Sequence, residues 1–350
     1  MSKSAIHYTP IPTQWIGPIK ITGNVINNEE IYAPLATYET PLWPSCGRGA
    51  KVSRQLDEGI IVTLLDARMT RSVIFDVTSA AQAHQIAQSI LLEKNKLQEV
   101  VSQTSRFAEL IEIHHEIVGN LLFLRFAFHT GDASGHNMAT KAADALIAYL
   151  LAQYTQLKYG SISGNYCIDK KASAVNGILG RGKRVVAEMC IPEKILSRFL
   201  RTDAEKMVLL NTRKNHIGSN LAGSIRSANA HFANMLLAFY LATGQDAANI
   251  IEGSQGIVHT ENRNGDLYFS CSLPNLIVGT VGNGKGEQLS TIEEHLIKLG
   301  CREERIAGEN ANRLAAICVA IVLCGELSLL AAQTNPGELM RAHIAMERRG

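Results

Sequence analysis

The run Leu314–Ala332, LAAICVAIVLCGELSLLAA, admits two architectures. It is almost wholly apolar and has about the length of a bilayer span, roughly 20 residues. A helix of this kind either crosses a membrane or forms the buried axis of a globular protein. Glu326, with Ser328 close by, interrupts it, and no other segment offers a second span, so a central core helix is expected. The chain around it has 350 residues and 46% apolar composition, enough for two or three domains with cores of their own.

The formal charge of +2, from 34 basic and 32 acidic residues, is too balanced to draw a polyanion, and no basic run is interleaved with aromatics. Nucleic acid is therefore not an expected partner. Cysteines at 46, 167, 190, 271, 301, 318 and 324 form an odd set without CxxC or metal-type spacing, behind the polar start Met1-Ser2-Lys3-Ser4. Reduced thiols, no metal site, no membrane attachment and a cytoplasmic location are expected.

Ahead of the apolar run, helices are expected at 193–201, 203–215, 225–243, 289–299 and 308–332, with Ser290 and Glu293 forming a capping box. Residues 267–281 read as two strands broken at Pro274. Upstream, prolines 10, 12, 18, 34, 41 and 44 cut the chain to about Arg71 into loops and short strands. Between them the pattern is strand 73–76, helix 80–101, a hairpin of 111–118 and 121–128 joined at Gly119-Asn120, helix 137–153 and strand 158–163. The fold class is α+β: a helical large domain around the central helix, residues 1–71 and 162–350, with an inserted ferredoxin-like α/β small domain, residues 72–161.

Ser163-Gly-Asn-Tyr-Cys-Ile-Asp-Lys-Lys171 packs a carboxylate, two adjacent ammonium groups and several hydroxyl or amide donors into one loop. It is suited to holding an anion, although a surface turn could carry Asp-Lys-Lys for solubility alone. Gly131-Asp-Ala-Ser-Gly-His-Asn-Met138 lies between an apolar strand and a helix start, where free N–H groups and the helix dipole could cradle a pyrophosphate, or where Asp132 simply closes a turn. Asp246 sits among small residues, where a lysine partner would make it an electrostatic anchor and a helix end would make it ordinary. Glu39 and His343 carry no local signal. Gly282-x-Gly284-x-Gly286 lacks the dinucleotide spacing, and Gly177–Lys183 fits a phosphate loop except that Arg184 replaces the metal-binding hydroxyl.

The wording of the chain, in order, resembles the catalytic region of 3-hydroxy-3-methylglutaryl-CoA reductase. The resemblance rests on Pro10-Ile-Pro12 with Ile16-Gly-Pro18, Leu35-Ala-Thr-Tyr-Glu39, Met69-Thr-Arg71, Thr104-Ser-Arg-Phe107, Gly131-Asp-Ala133 with Asn137-Met138, and Ser163-Gly-Asn-Tyr-Cys167 with Asp169-Lys-Lys171. It continues through Gly180-Arg-Gly-Lys183, Ala222-Gly-Ser-Ile225, Asn229-Ala-His231, Gly244-Gln-Asp-Ala-Ala248, Gly279-Thr-Val-Gly282, Gly325-Glu-Leu-Ser-Leu329 and Ala342-His343. What it implies is a large domain with a central helix and a small domain that binds the nicotinamide cofactor. The implied reaction is a thioester reduction by two hydride transfers from NADPH, giving mevalonate and CoA. By the same resemblance the catalytic residues are Lys170 on the oxyanion, Asp246 against Lys170 and Glu39, Glu39 as proton donor to mevaldehyde, and His343 as proton donor to the CoA thiolate.

Arg71, Ser163, Asp169, Lys171 and Lys214 fall at positions that grip the hydroxymethylglutaryl portion, and Ser45 and Arg48 at positions that contact CoA. Ser105, Arg106, Asp132, Gly135 and Asn137 fall on the cofactor side, with Arg348 at the 2′-phosphate of NADPH. The resemblance also implies an obligate homodimer or an assembly of dimers, with Lys170 on one subunit and the Glu39, Asp246 and His343 set on the other.

Departures lie in the missing Glu-Asn-Val-Ile-Gly segment ahead of Pro10, in Ser134 and His136 where methionines are usual, in Gly47 where an asparagine often contacts CoA, and in Glu347 beside Arg348. NADH as cofactor for mevalonate oxidation is the alternative within the class, and a non-catalytic CoA-ester binding module the alternative outside it.

Overall fold

A computed structural model describes residues 7–282 and 289–347, and among these the chain is a mixed α+β structure. The N-terminal region is more regular than its prolines suggest. Strands β1 (Thr13–Gly23) and β2 (Glu29–Ala36) form an antiparallel hairpin, and the ladder skips from Ile16 to Ile19, so that Pro18, which has no N–H to give, falls in the interruption. Helix α1 (Leu42–Ser53), not anticipated from the sequence, begins directly after Pro41 and carries Pro44 in its first turn, where a missing N–H costs nothing.

The expected short strand 73–76 is the end of a far longer one, β3 (Ile60–Asp76). Its first part pairs in parallel with β1 and antiparallel with β7 (Gly182–Ile191). From Met69 onward it pairs with β5 (Leu121–His129), and its end pairs with β6 (Lys158–Ser161). With β4 (Glu109–Val118), β8 (Ile257–Arg263) and β9 (Asp266–Leu276), one strand thus serves two sheets, ordered β2-β1-β3-β7-β9-β8 and β4-β5-β3-β6.

Helices α2 (Ala80–Leu92), α3 (Lys94–Ser102) and α4 (His136–Gln153), with β4 (Glu109–Val118), complete a second core of their own. The single helix expected over 80–101 is broken at Glu93, whose carboxylate accepts from Tyr154 and Tyr149.

After the short helix α5 (Ala174–Leu179) and β7 come helical turns Glu193–Ile195 and Leu196–Leu200, α6 (Ala204–Leu210), a π-helical stretch Asn211–Gly218, and α7 (Phe232–Ala242). Residues 225–231, expected as helix, are loop instead: Arg226 takes a left-handed backbone and Asn229 Oδ1 accepts the Phe232 N–H at 3.2 Å, starting α7 there. β8 (Ile257–Arg263) and β9 (Asp266–Leu276) form a hairpin, and β9 runs through Pro274 with a register shift, so the expected break is a bulge.

In α8 (Ser290–Lys298) the N-cap is Leu289 with no side-chain cap. Ser290 is already inside the helix, and the Glu293 carboxylate is taken by Arg302. The capping box is therefore not formed.

Helix α9 (Glu309–Gln333) is the axis of the larger core, with 94% of its apolar window buried in protein. Gly49 lets α1 cross it closely: a Cβ there would stand 2.2 Å from Cys324 O. Helix α10 (Glu338–Glu347) ends the described chain. All seven cysteines are free, and only Cys190 is exposed.

Candidate active site

The loop between β6 and α5 holds three non-glycine residues in the left-handed region: Asn165 (φ 55°), Ile168 (φ 34°) and Lys170 (φ 55°). For a β-branched residue such as Ile168 this is a strained conformation, tolerated where surroundings over-determine it. The surroundings here are specific hydrogen bonds. Ser72 Oγ accepts the N–H groups of Tyr166 and Cys167 at 2.9 and 3.2 Å, Asn176 donates to Ile168 O at 2.8 Å, and Tyr166 Oη meets His114 Nδ1 at 2.9 Å.

The loop delivers Lys170 Nζ to 2.6 Å from Asp246 Oδ2 within the same chain. The placement of these two on different subunits, expected from the resemblance, is thereby overturned: the segment after α7 brings Asp246 to the loop directly. Asp246 Oδ1 also accepts the Ala248 N–H at 3.1 Å. Its carboxylate raises the Lys170 ammonium above the ordinary lysine value. Burial pushes the Asp246 carboxyl up, but the Lys170 ammonium and the Ala248 amide outweigh it and hold it below the usual carboxylate range.

Both line a cavity of about 820 Å³ with Arg71, His136, Asn137 and Asp169. Arg71 is fixed by donating to Ile162 O at 3.0 Å. Asp169 bonds the buried Arg181 at 2.5 Å, and His136 Nε2 lies 3.5 Å from the same oxygen without hydrogen-bond geometry. Burial pushes the Asp169 carboxyl up, yet His136 and Arg181 prevail and hold it well below its ordinary range. Asp169 is thus largely taken by protein partners. Lys171 is exposed, with Nζ on Asp169 O at 3.1 Å, and Ser163 is exposed with its N–H on Ser161 Oγ.

The far wall is the start of α4. Gly135 (φ 95°) precedes it, and no side chain caps the helix, which leaves first-turn N–H groups at His136 and Asn137 beside the cavity. Asp132 does not face that cavity: its Oδ1 accepts the Ala311 N–H at 2.9 Å, tying the loop to the first turn of α9. Behind the loop lies a second cavity of about 660 Å³ lined by Ser105, Arg106, Gly131, Ser134 and Lys183. The Arg106 guanidinium stacks 4.6 Å over Phe107, and Ser105 Oγ accepts the Phe107 N–H. Burial brings the Lys183 ammonium down to about 8, against the attraction of Asp132.

Glu39 lines a third cavity, of about 300 Å³, with Ser45, Arg48, His231 and Asn234, and shares no wall with Lys170. Its Oε2 accepts from Asn234 at 2.8 Å. The expected contact between Asp246 and Glu39 is not made within one chain. Arg48 donates to Ser328 Oγ at 3.0 Å and to Glu338 at 2.7 Å, while Ser45 reaches Ser328 Oγ at 3.0 Å.

Lys214 is half-buried, and burial lowers its ammonium below the ordinary value while Glu326 opposes the shift. The side chain of His343, on α10, and the whole of Arg348 lie outside the described residues. Residue-type reasoning did not single out His231, whose Nδ1 sits 2.8 Å from the wholly buried Glu326. Its signal was available: a carboxylate inside an apolar helix requires a partner.

Comparison with known proteins identifies the molecule first as a mixed α+β oxidoreductase. A family model described as hydroxymethylglutaryl-coenzyme A reductase matches residues 1–348. The chain is 41% identical over 349 residues to the 3-hydroxy-3-methylglutaryl-coenzyme A reductase of Pyrococcus abyssi, covering 99% of this chain and 84% of that protein. It is 42% identical over 342 residues to the Aeropyrum pernix enzyme of the same name, covering 97% and 80%.

The fold is similar to that of the class II 3-hydroxy-3-methylglutaryl-CoA reductase from Streptococcus pneumoniae bound to NADPH in open conformations, with TM-score 0.74 and 20% identity over 95% of this chain and 88% of that one. The chain belongs to the hydroxymethylglutaryl-CoA reductase family, whose reaction is the reduction of hydroxymethylglutaryl-CoA in the mevalonate route to isoprenoids.

Proposed function

We propose that this chain reduces hydroxymethylglutaryl-CoA to mevalonate and CoA with NADPH, in two hydride transfers, as a cytoplasmic homodimer or assembly of dimers. The observation that carries the reading is the Lys170–Asp246 pair at 2.6 Å, partly exposed on the wall of the 820 Å³ cavity. An ammonium held charged by a carboxylate, yet open to a cavity, is suited to an oxyanion that forms as a thioester carbonyl is reduced.

The residues present fit a nicotinamide dinucleotide: the uncapped start of α4 offers N–H groups to a pyrophosphate, and Arg106 in the adjoining cavity offers a cation to a 2′-phosphate. When bound, that cofactor supplies hydride. Lys170 stabilises the oxyanion, and Arg71, with Lys171 and Lys214, receives the carboxylate of the hydroxymethylglutaryl group. Ser45 and Arg48 hold CoA. His343 protonates the departing thiolate, and Glu39 gives a proton to mevaldehyde as it is reduced. In this reading residues 72–161 form the ferredoxin-like, cofactor-binding domain inserted in a larger substrate domain. Because Glu39 and Lys170 line different cavities of one chain, the dimer is where the two would meet, with Glu39 and His343 reaching the Lys170–Asp246 pair of the neighbour.

The test is loss of NADPH absorbance on adding hydroxymethylglutaryl-CoA, for the wild type and for Lys170→Ala. Turnover is expected in the first, and a kcat lower by about 10² to 10³ in the second. A wild type without turnover, or a variant with full turnover, overturns the reading.

A further inference from the structure

One short segment of the chain clasps the loop that carries Lys170. Asp246 takes the ammonium, and six residues later Glu252 Oε1 accepts the backbone N–H of Lys170 itself at 3.1 Å. Gln255 then bridges Ser173, accepting its N–H at 3.2 Å and donating to its carbonyl at 2.9 Å. The middle point of this clasp is chemically the most unusual. The Glu252 side chain has no exposure, Oε1 also accepts from Asn249 at 2.9 Å, Arg181 Nε lies 3.7 Å away, and Oε2 has no hydrogen-bond partner. A buried carboxylate with one oxygen unpartnered is costly, and the one backbone amide of the loop that it accepts belongs to a residue whose backbone is left-handed.

We propose that Glu252 is a positioning residue for the reduction: through the Lys170 N–H it fixes the left-handed backbone that aims the Lys170 ammonium at Asp246 and at the substrate. It acts only through Lys170, and the inference rests on the role assigned to Lys170 above. Without the acceptor, residue 170 relaxes toward the right-handed region that a lysine prefers, and Nζ swings off the cavity wall. Arg71, held independently by Ile162 O, stays in place, so ground-state binding is preserved while the barrier rises.

The experiment measures kcat and KM for the full chain with hydroxymethylglutaryl-CoA and NADPH in Glu252→Ala, Glu252→Gln, Lys170→Ala and the double variant Lys170→Ala/Glu252→Ala. Glu252→Ala is expected to lower kcat by about 10- to 100-fold with KM for the thioester within about threefold. Glu252→Gln, whose amide oxygen still accepts the N–H, restores most of kcat. The double variant is no slower than Lys170→Ala, because the two act as one unit. Unchanged kcat in Glu252→Ala, a loss carried in KM, or a double variant slowed by the full product of the two effects overturns the proposal.

Should Glu252→Ala not fold, Glu252→Asp keeps the charge but withdraws the acceptor, and the same loss of kcat is expected from it. Full turnover in Lys170→Ala would instead sink the role of Lys170, and this inference with it.

Discussion

Glu326, in the buried central helix α9, holds His231 Nδ1 at 2.8 Å and accepts the backbone N–H groups of Ala230 and His231. The residue that interrupts the apolar run is therefore the fastening between α9 and the start of α7. Replacing it leaves three part-buried donors without that acceptor. Glu326→Ala is expected to cost about 3–5 kcal/mol, and Glu326→Gln less, since it keeps one acceptor. Urea denaturation of both variants measures it, and a loss in Glu326→Ala below about 1 kcal/mol would show that the fastening contributes little.

The Lys170–Asp246 pair sets a pH window. Asp246 lies below its ordinary value of 3.8, so its charge is lost only as pH falls through that lowered value. Lys170 lies above 10.5, so its charge is lost only as pH rises through that raised value. The pair is thus fully ionised across neutral pH. Asp246→Asn removes the support of the ammonium, and the alkaline limb of the kcat profile should move to lower pH, with kcat itself down about 10²-fold or more. An alkaline limb that stays in place would detach Lys170 from catalysis.

Lys183 works in the opposite sense. Its folded value near 8 lies below the ordinary 10.5, so between those two pH values the unfolded chain binds the extra proton and stability rises with pH. Below about 8 the burial penalty is fully present. Lys183→Met should therefore stabilise the protein at pH 7 by about 2–3 kcal/mol, with the gain vanishing toward pH 10.5. Denaturation at the two pH values decides it, and a gain equal at both would remove burial as the cause.

Gly135 holds φ 95° at the start of α4, and a Cβ there would stand 2.7 Å from Thr130 Oγ1 and 2.9 Å from Met69 Cβ. Gly135→Ala combines backbone strain with a clash against β3, for a cost of about 1–3 kcal/mol. A lowered Tm together with a raised KM for NADPH is expected, and a lowered Tm alone would separate this turn from cofactor binding.

The helical stretch 80–101, apart from its break at Glu93, and α4 were legible from local apolar spacing, and the central helix from its unbroken apolar run. The Lys170–Asp246 contact was expected only through the collinear resemblance, since no spacing in the chain encodes contacts between residues so far apart. β3 was misread because its residues alternate burial differently in its two halves, as it passes from one sheet to the other. Pro44 and Pro274 misled in the same way: each reads as a break, and each sits where the missing N–H is harmless, in a first helical turn and at a bulge. Glu252 carried no signal of its place at the loop, because what it holds there is a backbone amide and any sequence has those.

The shared strand has a mechanical consequence. Arg71 stands just past the point where β3 leaves β7 and takes up β5. Because one continuous strand joins the two sheets, any rotation of one sheet against the other would be taken up as twist along β3, with Arg71 close to its junction. In the proposed function, where Arg71 receives the substrate carboxylate, that grip would stay nearly stationary while the wall formed by α4 turns about it.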